Sequence, residues 1–362
     1  MMINVTKTFL PPFDEYAAVL KRAWDKGWIT NNGELVRELE EKLEQYLGVK
    51  HLLFCNNGTI ALQIALKALN IKGEVITTPF SYVATTGAIL WENCRPVFVD
   101  IDEKNFCIDA AKIEASITEN TTAILATHVY GYACNVEAIE KIAHKYKLKV
   151  IYDGAHAFGT NYKGRSVLSY GDISTCSFHA TKLFHTAEGG CIITNDDKLA
   201  ETIRLYHQFG HIGDEHFCVG INGKSSELHA ALGLCNLNYI DAILASRKQQ
   251  WLYYKTFLQH TSLQLLEVTE NSPFNYSYFP VVFETETLLL EIIAALKEKE
   301  ILPRRYFYPS LNTLPYIQYQ PVPVSESIAK RVLCLPLFYE LGSVIQHNIV
   351  QAILKVHRQQ SL

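Results

Sequence analysis

Seven apolar runs of strand length lie within residues 51–196, and most are separated by helix-like segments. They are HLLFC, EVITTPF, PVFVDID, TTAILATHV, LKVIYDGAH, ISTCSFHA and GCIITND. Continuous apolar runs of this length are typical of strands that are buried on both faces. Joined by helices, such strands predict an α/β fold, in which helices cover both faces of a mainly parallel sheet.

Helical periodicity fills the segments around these runs. GELVRELEEKLEQYLG places Val36, Leu39, Leu43 and Leu47 on one face, and Gly48 is a typical stop. IALQIALKALN and NVEAIEKIAHKYK show the same kind of pattern. We therefore predict helices at all three places.

The chain is long for a single compact core, with 362 residues. From about residue 240 the pattern changes to a long helix-like stretch, YIDAILASRKQQWLYYKTFLQ, followed by YSYFPVVFE, TLLLEIIAALKEKEI and a connection rich in tyrosine and proline. We predict a large domain over residues 1–240, including an N-terminal arm, and a smaller α+β domain over residues 241–362.

Charge and cysteine content exclude several classes of function. Lys and Arg number 33 against 37 Asp and Glu, without a basic stripe, so we expect no nucleic-acid partner. The nine scattered cysteines form no Cys-x-x-Cys pair, which favours reduced thiols with neither metal nor disulfides. Because we find neither a signal peptide nor a membrane-spanning run, we expect a cytoplasmic protein with no membrane contact.

Ligands of parallel sheets gather beyond the carboxyl ends of the strands, so the residues that follow each run are the first candidates for a site. After HLLFC the chain turns through Asn56, Asn57, Gly58 and Thr59 into a helix. Free backbone N–H groups and the positive end of a helix dipole suit a phosphate there. The alternative is that Asn57 or Thr59 only caps the helix.

Asp153 ends the run LKVIY, and Lys182 follows ISTCSFHA. The aspartate could cap a neighbouring helix, or it could keep a proton on the nitrogen of an aromatic heterocycle. The lysine could be a solvated surface residue, or it could be a neutral amine that bonds to an aldehyde. Pyridoxal 5′-phosphate requires such a lysine, such an acid and a phosphate cradle together, which makes it the predicted cofactor.

The order and spacing of several segments resemble the nucleotide-sugar aminotransferases of the DegT/DnrJ/EryC1/StrS family. These segments are NNGTIAL, TTPFSYVATTGAIL, PVFVDID, VIYDGAHAFG, SFHATKLFHTAEGGCIITND and GINGKSSELHAALGL. The similarity runs from about residue 4 to LCLPLF. It implies a fold-type-I aminotransferase with a seven-stranded, mainly parallel sheet, and a homodimer with shared active sites.

By motif position, the resemblance assigns the catalytic roles to Lys182, which would bond to the cofactor and move a proton, and to Asp153, which would pair with the pyridine nitrogen. It places His156 near the 3-oxygen of the cofactor, and Tyr82 and Ala155 on the two faces of the ring. Tyr82 could instead be a core aromatic and His156 a structural histidine.

The phosphate, by the same resemblance, would be bound by Gly58, Thr59 and Ser177, although Ser177 could be an ordinary strand residue. Asn222 would reach the cofactor from the partner subunit. The predicted substrate-binding residues are Lys224, which stands where relatives commonly have arginine, and Tyr308. His179 and His185 flank Lys182, and we expect packing or sugar contact from them.

The reaction implied is transfer of the amino group of L-glutamate to dTDP-4-keto-6-deoxy-D-glucose, which gives dTDP-4-amino-4,6-dideoxy-D-glucose. Deoxyaminosugars of this kind belong to lipopolysaccharide O-antigen biosynthesis. One alternative is a C3-specific aminotransferase that acts on a dTDP-3-keto-6-deoxyhexose. Another, from a different class, is a non-catalytic regulator or binding protein, which loss of Lys182 or Asp153 would have favoured.

Overall fold

The computed structural model describes residues 2–268 and 272–360. Its strands are β1 (Ile3–Asn4), β2 (His51–Cys55), β3 (Glu74–Thr77), β4 (Arg95–Phe98), β5 (Thr121–Thr127), β6 (Lys149–Asp153), β7 (Asn161–Tyr162), β8 (Arg165–Ser166), β9 (Ile173–Ser177), β10 (Gly190–Thr194), β11 (His211–Ile212), β12 (Glu215–His216), β13 (Gln264–Leu265), β14 (Phe279–Val282), β15 (Ile301–Leu302) and β16 (Val332–Leu335).

Helices separate and cover these strands. They are α1 (Phe13–Lys26), α2 (Glu34–Leu47), α3 (Gly58–Ala68), α4 (Val83–Trp91), α5 (Ala110–Ile113), α6 (Val136–Tyr146), α7 (Asp197–His207), α8 (Glu227–Leu237), α9 (Ile240–Leu258), α10 (Glu286–Lys297), α11 (Pro323–Arg331) and α12 (Ser343–Gln360). Short 3-10 turns cover Glu114–Ser116, Val129–Gly131, Val167–Ser169 and Leu311–Thr313.

A seven-stranded sheet with the order β2-β10-β9-β6-β5-β3-β4 forms the centre of the molecule. The pairs from β9 across to β4 are parallel, whereas β10 runs antiparallel to both of its neighbours, β2 and β9. Six strands therefore point the same way, and their carboxyl ends meet at one edge. The seven apolar runs of the sequence are the seven strands of this sheet, which confirms the predicted α/β class.

Both faces of the sheet are covered, as the uninterrupted apolar runs require. Alternate residues of β2 show this, because Leu52 and Phe54 join one buried apolar cluster while Leu53 and Cys55 join another. The predicted helix at residues 33–48 is α2, and its five aliphatic residues are buried. Gly48 follows α2 with φ 62°, the left-handed conformation that glycine adopts without strain.

The C-terminal part of the chain contains an antiparallel sheet of β13, β14 and β16. Trp251 and Tyr254 of α9 contact Phe279 of β14, and α12 packs against α9 and α10. The first strand of the chain, β1, pairs in parallel with β15, so the N-terminal arm lies against C-terminal residues. The division into domains of residues 1–240 and 241–362 stays a prediction.

A buried carboxylate joins two helices near the N-terminal arm. Glu227, the first residue of α8, accepts hydrogen bonds from the backbone N–H groups of Leu35 (2.8 Å) and Val36 (3.1 Å) at the start of α2. A side chain at Gly33 would overlap the carboxylate of Glu227, since a Cβ there would lie 2.5 Å from the Glu227 carboxyl carbon. Glu227 thus caps α2 from a distant part of the sequence.

The helices differ in length and apolar content from membrane-spanning helices. Within residues 2–268 and 272–360, none of the helices taken singly is long and apolar enough to cross a membrane. Only α8 and α9 together reach that length and composition, and a bend of 61° separates them.

Candidate active site

A cavity of about 260 Å³ opens at the edge where the carboxyl ends of the parallel strands meet. Eight of the eleven residues predicted to act in catalysis, cofactor binding or substrate binding line it, namely Gly58, Thr59, Tyr82, Asp153, Ala155, His156, Ser177 and Lys182. Sheet topology explains why they meet. β2, β6 and β9 point in the same direction, so the residues that follow these strands lie side by side.

The turn between β2 and α3 has free backbone donors. Asn57 caps α3, with its side-chain oxygen accepting the N–H of Ile60 at 2.9 Å, so the capping alternative is correct for Asn57. Gly58 and Thr59 begin the helix and face the cavity, where first-turn N–H groups lack intrahelical partners. A Cβ at Gly58 would lie 2.9 Å from the Cβ of Ser177, so glycine permits this close approach.

Asp153 is buried at the end of β6, with 5% of its surface exposed. One carboxylate oxygen accepts the hydroxyl of Thr85 at 2.6 Å, and the other accepts the backbone N–H of Ala155 at 3.0 Å. The hydroxyl of Ser81 lies 2.7 Å from that of Thr85 and 3.2 Å from that of Thr127. These hydrogen bonds fix the orientation of the carboxylate and compensate for its burial.

Lys182 is half-buried in a loop that connects β9 to β10. Its backbone N–H donates to the carbonyl of His179 at 2.8 Å, and the N–H of Ala180 donates across the loop to Ala187 at 2.7 Å. Burial lowers the pKa of the Lys182 ammonium, and the negative charge of Asp153 opposes that shift. A lowered pKa makes a neutral amine more accessible near neutral pH.

His156 is a buried, neutral imidazole on the wall of the cavity. Its Nδ1 accepts the backbone N–H of Tyr130 at 3.3 Å, which leaves Nε2 as the protonated nitrogen. Burial lowers the pKa of His156 well below its ordinary value, and the nearby charge of Lys182 lowers it further. Its ring stacks on Phe307 with a centroid separation of 5.6 Å and meets the edge of Tyr278 at 4.8 Å.

The C-terminal part of the chain contributes one wall of the cavity, made of residues that are not among the predicted site residues. Tyr278, Arg304, Tyr306 and Phe307 line the cavity. Tyr308, the predicted substrate-binding residue of this part of the chain, lies outside the lining with 49% of its surface exposed, and Arg305 stacks on its ring at 3.6 Å. The assigned role of Tyr308 stays a prediction.

Asn222 and Lys224 also lie outside the cavity lining of a single chain. Asn222 pairs with Gln208 through its backbone, and its carbonyl accepts from the side chain of Asn56 at 3.2 Å. The ammonium of Lys224 lies 4.4 Å from the ring centre of Phe209, and partial burial lowers its pKa. Their roles toward cofactor and substrate stay predictions.

The two histidines that flank Lys182 differ in position. His179 lines the cavity and contacts the hydroxyl of Thr181 at 2.8 Å. His185 is buried away from the cavity, and its Nε2 donates to the backbone carbonyl of Phe9 at 2.7 Å. The side-chain amide of Asn236 donates to the backbone carbonyl of His185 at 2.9 Å. His185 thus ties the N-terminal arm to the loop that carries Lys182.

Residues of metal-binding type do not gather in the described ranges. Over residues 2–268 and 272–360, no group of three or more His, Cys, Asp or Glu side chains is placed to hold a metal ion. All nine cysteines are free, and every one except Cys218 is buried.

The chain is similar to proteins of known activity over nearly its whole length. Residues 14–354 match the DegT/DnrJ/EryC1/StrS aminotransferase family. The dTDP-4-amino-4,6-dideoxy-D-glucose transaminase of Shigella dysenteriae is 42% identical, with 98% of this chain and 99% of that protein covered. The transaminase of the same name from Escherichia coli is also 42% identical, with coverage of 97% and 98%.

Solved structures show the same likeness. DesI, solved in the presence of its TDP-sugar product, superposes with a TM-score of 0.94 at 30% sequence identity, covering 99% of this chain and 94% of that one. The arrangement of sheet and helices described above is therefore shared with a sugar-processing protein of known structure.

Electrostatic coupling between Asp153 and Lys182 gives a pH-dependent prediction. Because the carboxylate opposes the lowering of the Lys182 pKa, Asp153→Asn should lower that pKa further, and Lys182 should become a neutral, reactive amine at lower pH. The measurement is the pH dependence of Lys182 acetylation in the ligand-free protein, followed by peptide mass spectrometry.

Asp14→Asn is the control, because Asp14 is an exposed carboxylate of α1 outside the cavity lining. Its acetylation profile at Lys182 should match that of the parent protein. A profile that is unchanged, or moved to higher pH, in Asp153→Asn would contradict the coupling.

Proposed function

Since the chain belongs to the DegT/DnrJ/EryC1/StrS aminotransferase family, we propose that it aminates C4 of dTDP-4-keto-6-deoxy-D-glucose with pyridoxal 5′-phosphate as cofactor. The product would be dTDP-4-amino-4,6-dideoxy-D-glucose. The observation that carries this choice of substrate is the near full-length similarity to two transaminases that are named for that product.

The anion-binding end of the cavity fits the phosphate of this cofactor. The N-terminus of α3 presents the backbone of Gly58 and Thr59, and the hydroxyl of Ser177 lies next to it. A Cβ at residue 58 would press on Ser177, so the cradle depends on the glycine. Backbone donors, a hydroxyl and the helix dipole together favour a bound phosphate dianion.

The opposite end of the cavity fits a pyridine ring. Asp153, oriented by Thr85 and by the N–H of Ala155, would keep a proton on the ring nitrogen. Tyr82, with 53% of its surface exposed, and Ala155 would cover the two ring faces. The protonated Nε2 of His156 would donate to the oxygen on the ring.

When bound, pyridoxal phosphate supplies an aldehyde that bonds to amines and a protonated ring that withdraws electrons from the reacting carbon. Lys182 would supply the amine at that aldehyde. Freed from this bond, its neutral Nζ would carry the proton to and from the reacting carbon of each substrate. The lowered pKa of Lys182 supports both roles, because each needs the uncharged amine.

L-Glutamate is the proposed amino donor, and a homodimer is the proposed catalytic unit. Asn222 supports the dimer, because it lies outside the cavity of its own chain although the family motif assigns it to the cofactor. We also propose a cytoplasmic location, which the buried free thiols support because such thiols suit a reducing compartment.

The first experiment identifies the carbon that receives nitrogen. Purified protein is incubated with pyridoxal phosphate, L-glutamate and either the 4-keto or the 3-keto dTDP-6-deoxyhexose, and the product is examined by NMR. We expect a C4 amine from the 4-keto sugar. Lys182→Ala should fold and form no product, because no other amine replaces it at the reacting carbon.

Lys355→Ala is the matched control, since Lys355 is an exposed lysine of α12. It should turn over as the parent protein does. Amination of only the 3-keto sugar would transfer the proposal to the C3 alternative, and normal turnover by Lys182→Ala would contradict the role of that lysine.

The second experiment tests whether Asn222 acts across the dimer. Lys182→Ala and Asn222→Ala are each expected to have little activity. In a mixed dimer, one site combines the two intact residues and the other combines the two altered ones. Coexpression in equal amounts should therefore restore about a quarter of the parent activity through random pairing of subunits.

A mixture that remains as inactive as its components would show that Asn222 does not act in trans. Full activity of Asn222→Ala by itself would show that the residue is dispensable.

A further inference from the structure

Two adjacent arginines, Arg304 and Arg305, follow β15 and differ in whether their guanidinium groups have an ion-pair partner. Arg305 forms an ion pair within its own chain, because one terminal nitrogen of its guanidinium donates to the carboxylate of Glu286 at 2.6 Å and to the carbonyl of Lys330 at 2.7 Å. Arg304 lines the cavity instead. Among residues 2–268 and 272–360, no carboxylate or other hydrogen-bond acceptor pairs with the Arg304 guanidinium.

The position of Arg304 is fixed by its neighbours. Its backbone N–H donates to the carbonyl of Cys334 at 3.2 Å and its carbonyl accepts the Cys334 N–H at 2.8 Å, which attaches residue 304 to β16. The guanidinium lies 4.6 Å from the ring centre of Tyr306, which also lines the cavity. A cation held over an aromatic face retains its five N–H donors for another partner.

Two carboxylates line the cavity, those of Asp153 and Glu188. Asp153 accepts from Thr85 and from the N–H of Ala155. Glu188 lies 3.6 Å from the ring nitrogen of His179. Neither of these two carboxylates forms an ion pair with Arg304. Its exposed guanidinium is therefore available at the cavity to an anion that enters, while Lys182 must lose its proton to react.

We propose that Arg304 binds an anionic group of a substrate, either a carboxylate of the amino donor or the diphosphate of the nucleotide sugar. This inference rests on the proposed function for the identity of those two substrates. Both anions offer paired oxygens that match the planar fork of a guanidinium. Arg304 thus contributes binding and orientation, and Lys182 performs the chemistry.

Substitution of Arg304 has a defined kinetic signature. Some interactions stabilise the bound substrate and the transition state equally. Loss of such an interaction raises KM and leaves kcat nearly unchanged. For Arg304→Gln we expect the KM of the substrate that carries the anion to rise by about tenfold or more, the scale of a lost charge-assisted hydrogen bond. Arg304→Lys keeps the positive charge but loses the planar, two-pronged guanidinium, so its KM should lie between those of the parent protein and Arg304→Gln.

Binding measurements distinguish the two anions, the carboxylate of the amino donor and the diphosphate of the nucleotide sugar, and they do not require turnover. Glutarate has the two carboxylates of glutamate and no amino group, and dTDP has the diphosphate and no sugar. Isothermal titration of each into the cofactor-loaded protein gives a dissociation constant. Weaker binding of glutarate alone to Arg304→Gln identifies the carboxylate as the bound group, and weaker binding of dTDP alone identifies the diphosphate.

Arg165→Gln is the matched control, because Arg165 is an exposed arginine that stacks on Tyr170 at 4.8 Å outside the cavity. It should bind both probes as the parent protein does. Unchanged binding of both probes by Arg304→Gln, with unchanged KM values, would overturn the inference. Absence of turnover in the parent protein would contradict the proposed function, and the titrations would still decide the role of Arg304.

Discussion

The buried carboxylate of Asp153 is the constraint around which the cavity is built. A charge at the end of a covered strand is costly unless donors meet both oxygens, and here the hydroxyl of Thr85 and the N–H of Ala155 do so. Thr85 is in turn contacted by Ser81. The same negative charge lies close enough to Lys182 to affect its pKa, so the carboxylate that we propose for one end of the cofactor also influences the amine proposed for the other end.

Strand direction brings these parts together. Reversal of β10 between β2 and β9 keeps six strands parallel, and for that reason the turn after β2, the end of β6 and the loop after β9 share one edge. The C-terminal part then closes the cavity with Tyr278, Arg304, Tyr306 and Phe307. Its anchor is the bridge between residue 304 and β16, which joins residues 30 positions apart in the chain. Neither part of the chain forms the complete wall.

Local sequence predicted the sheet and much of the cavity for a physical reason. Strands covered on both faces need continuous apolar runs, and the residues directly after them share an edge, so Asp153, Lys182 and Gly58 could be identified from position alone. Other features depend on distant contacts. Thr85 sits in a helix among small residues, and only the fold brings its hydroxyl to Asp153. Likewise, pairing with Cys334 determines that Arg304 rather than Tyr308 lines the cavity.

We propose Lys182 as the amine that bonds to the cofactor inside this cavity, and chemical labelling tests this directly. Protein loaded with pyridoxal phosphate, reduced with borohydride and digested, should yield one labelled peptide, and mass spectrometry should place the label on Lys182. A label on another lysine, or no label in protein that has bound the cofactor, would contradict the assignment of the cavity and the chemistry derived from it.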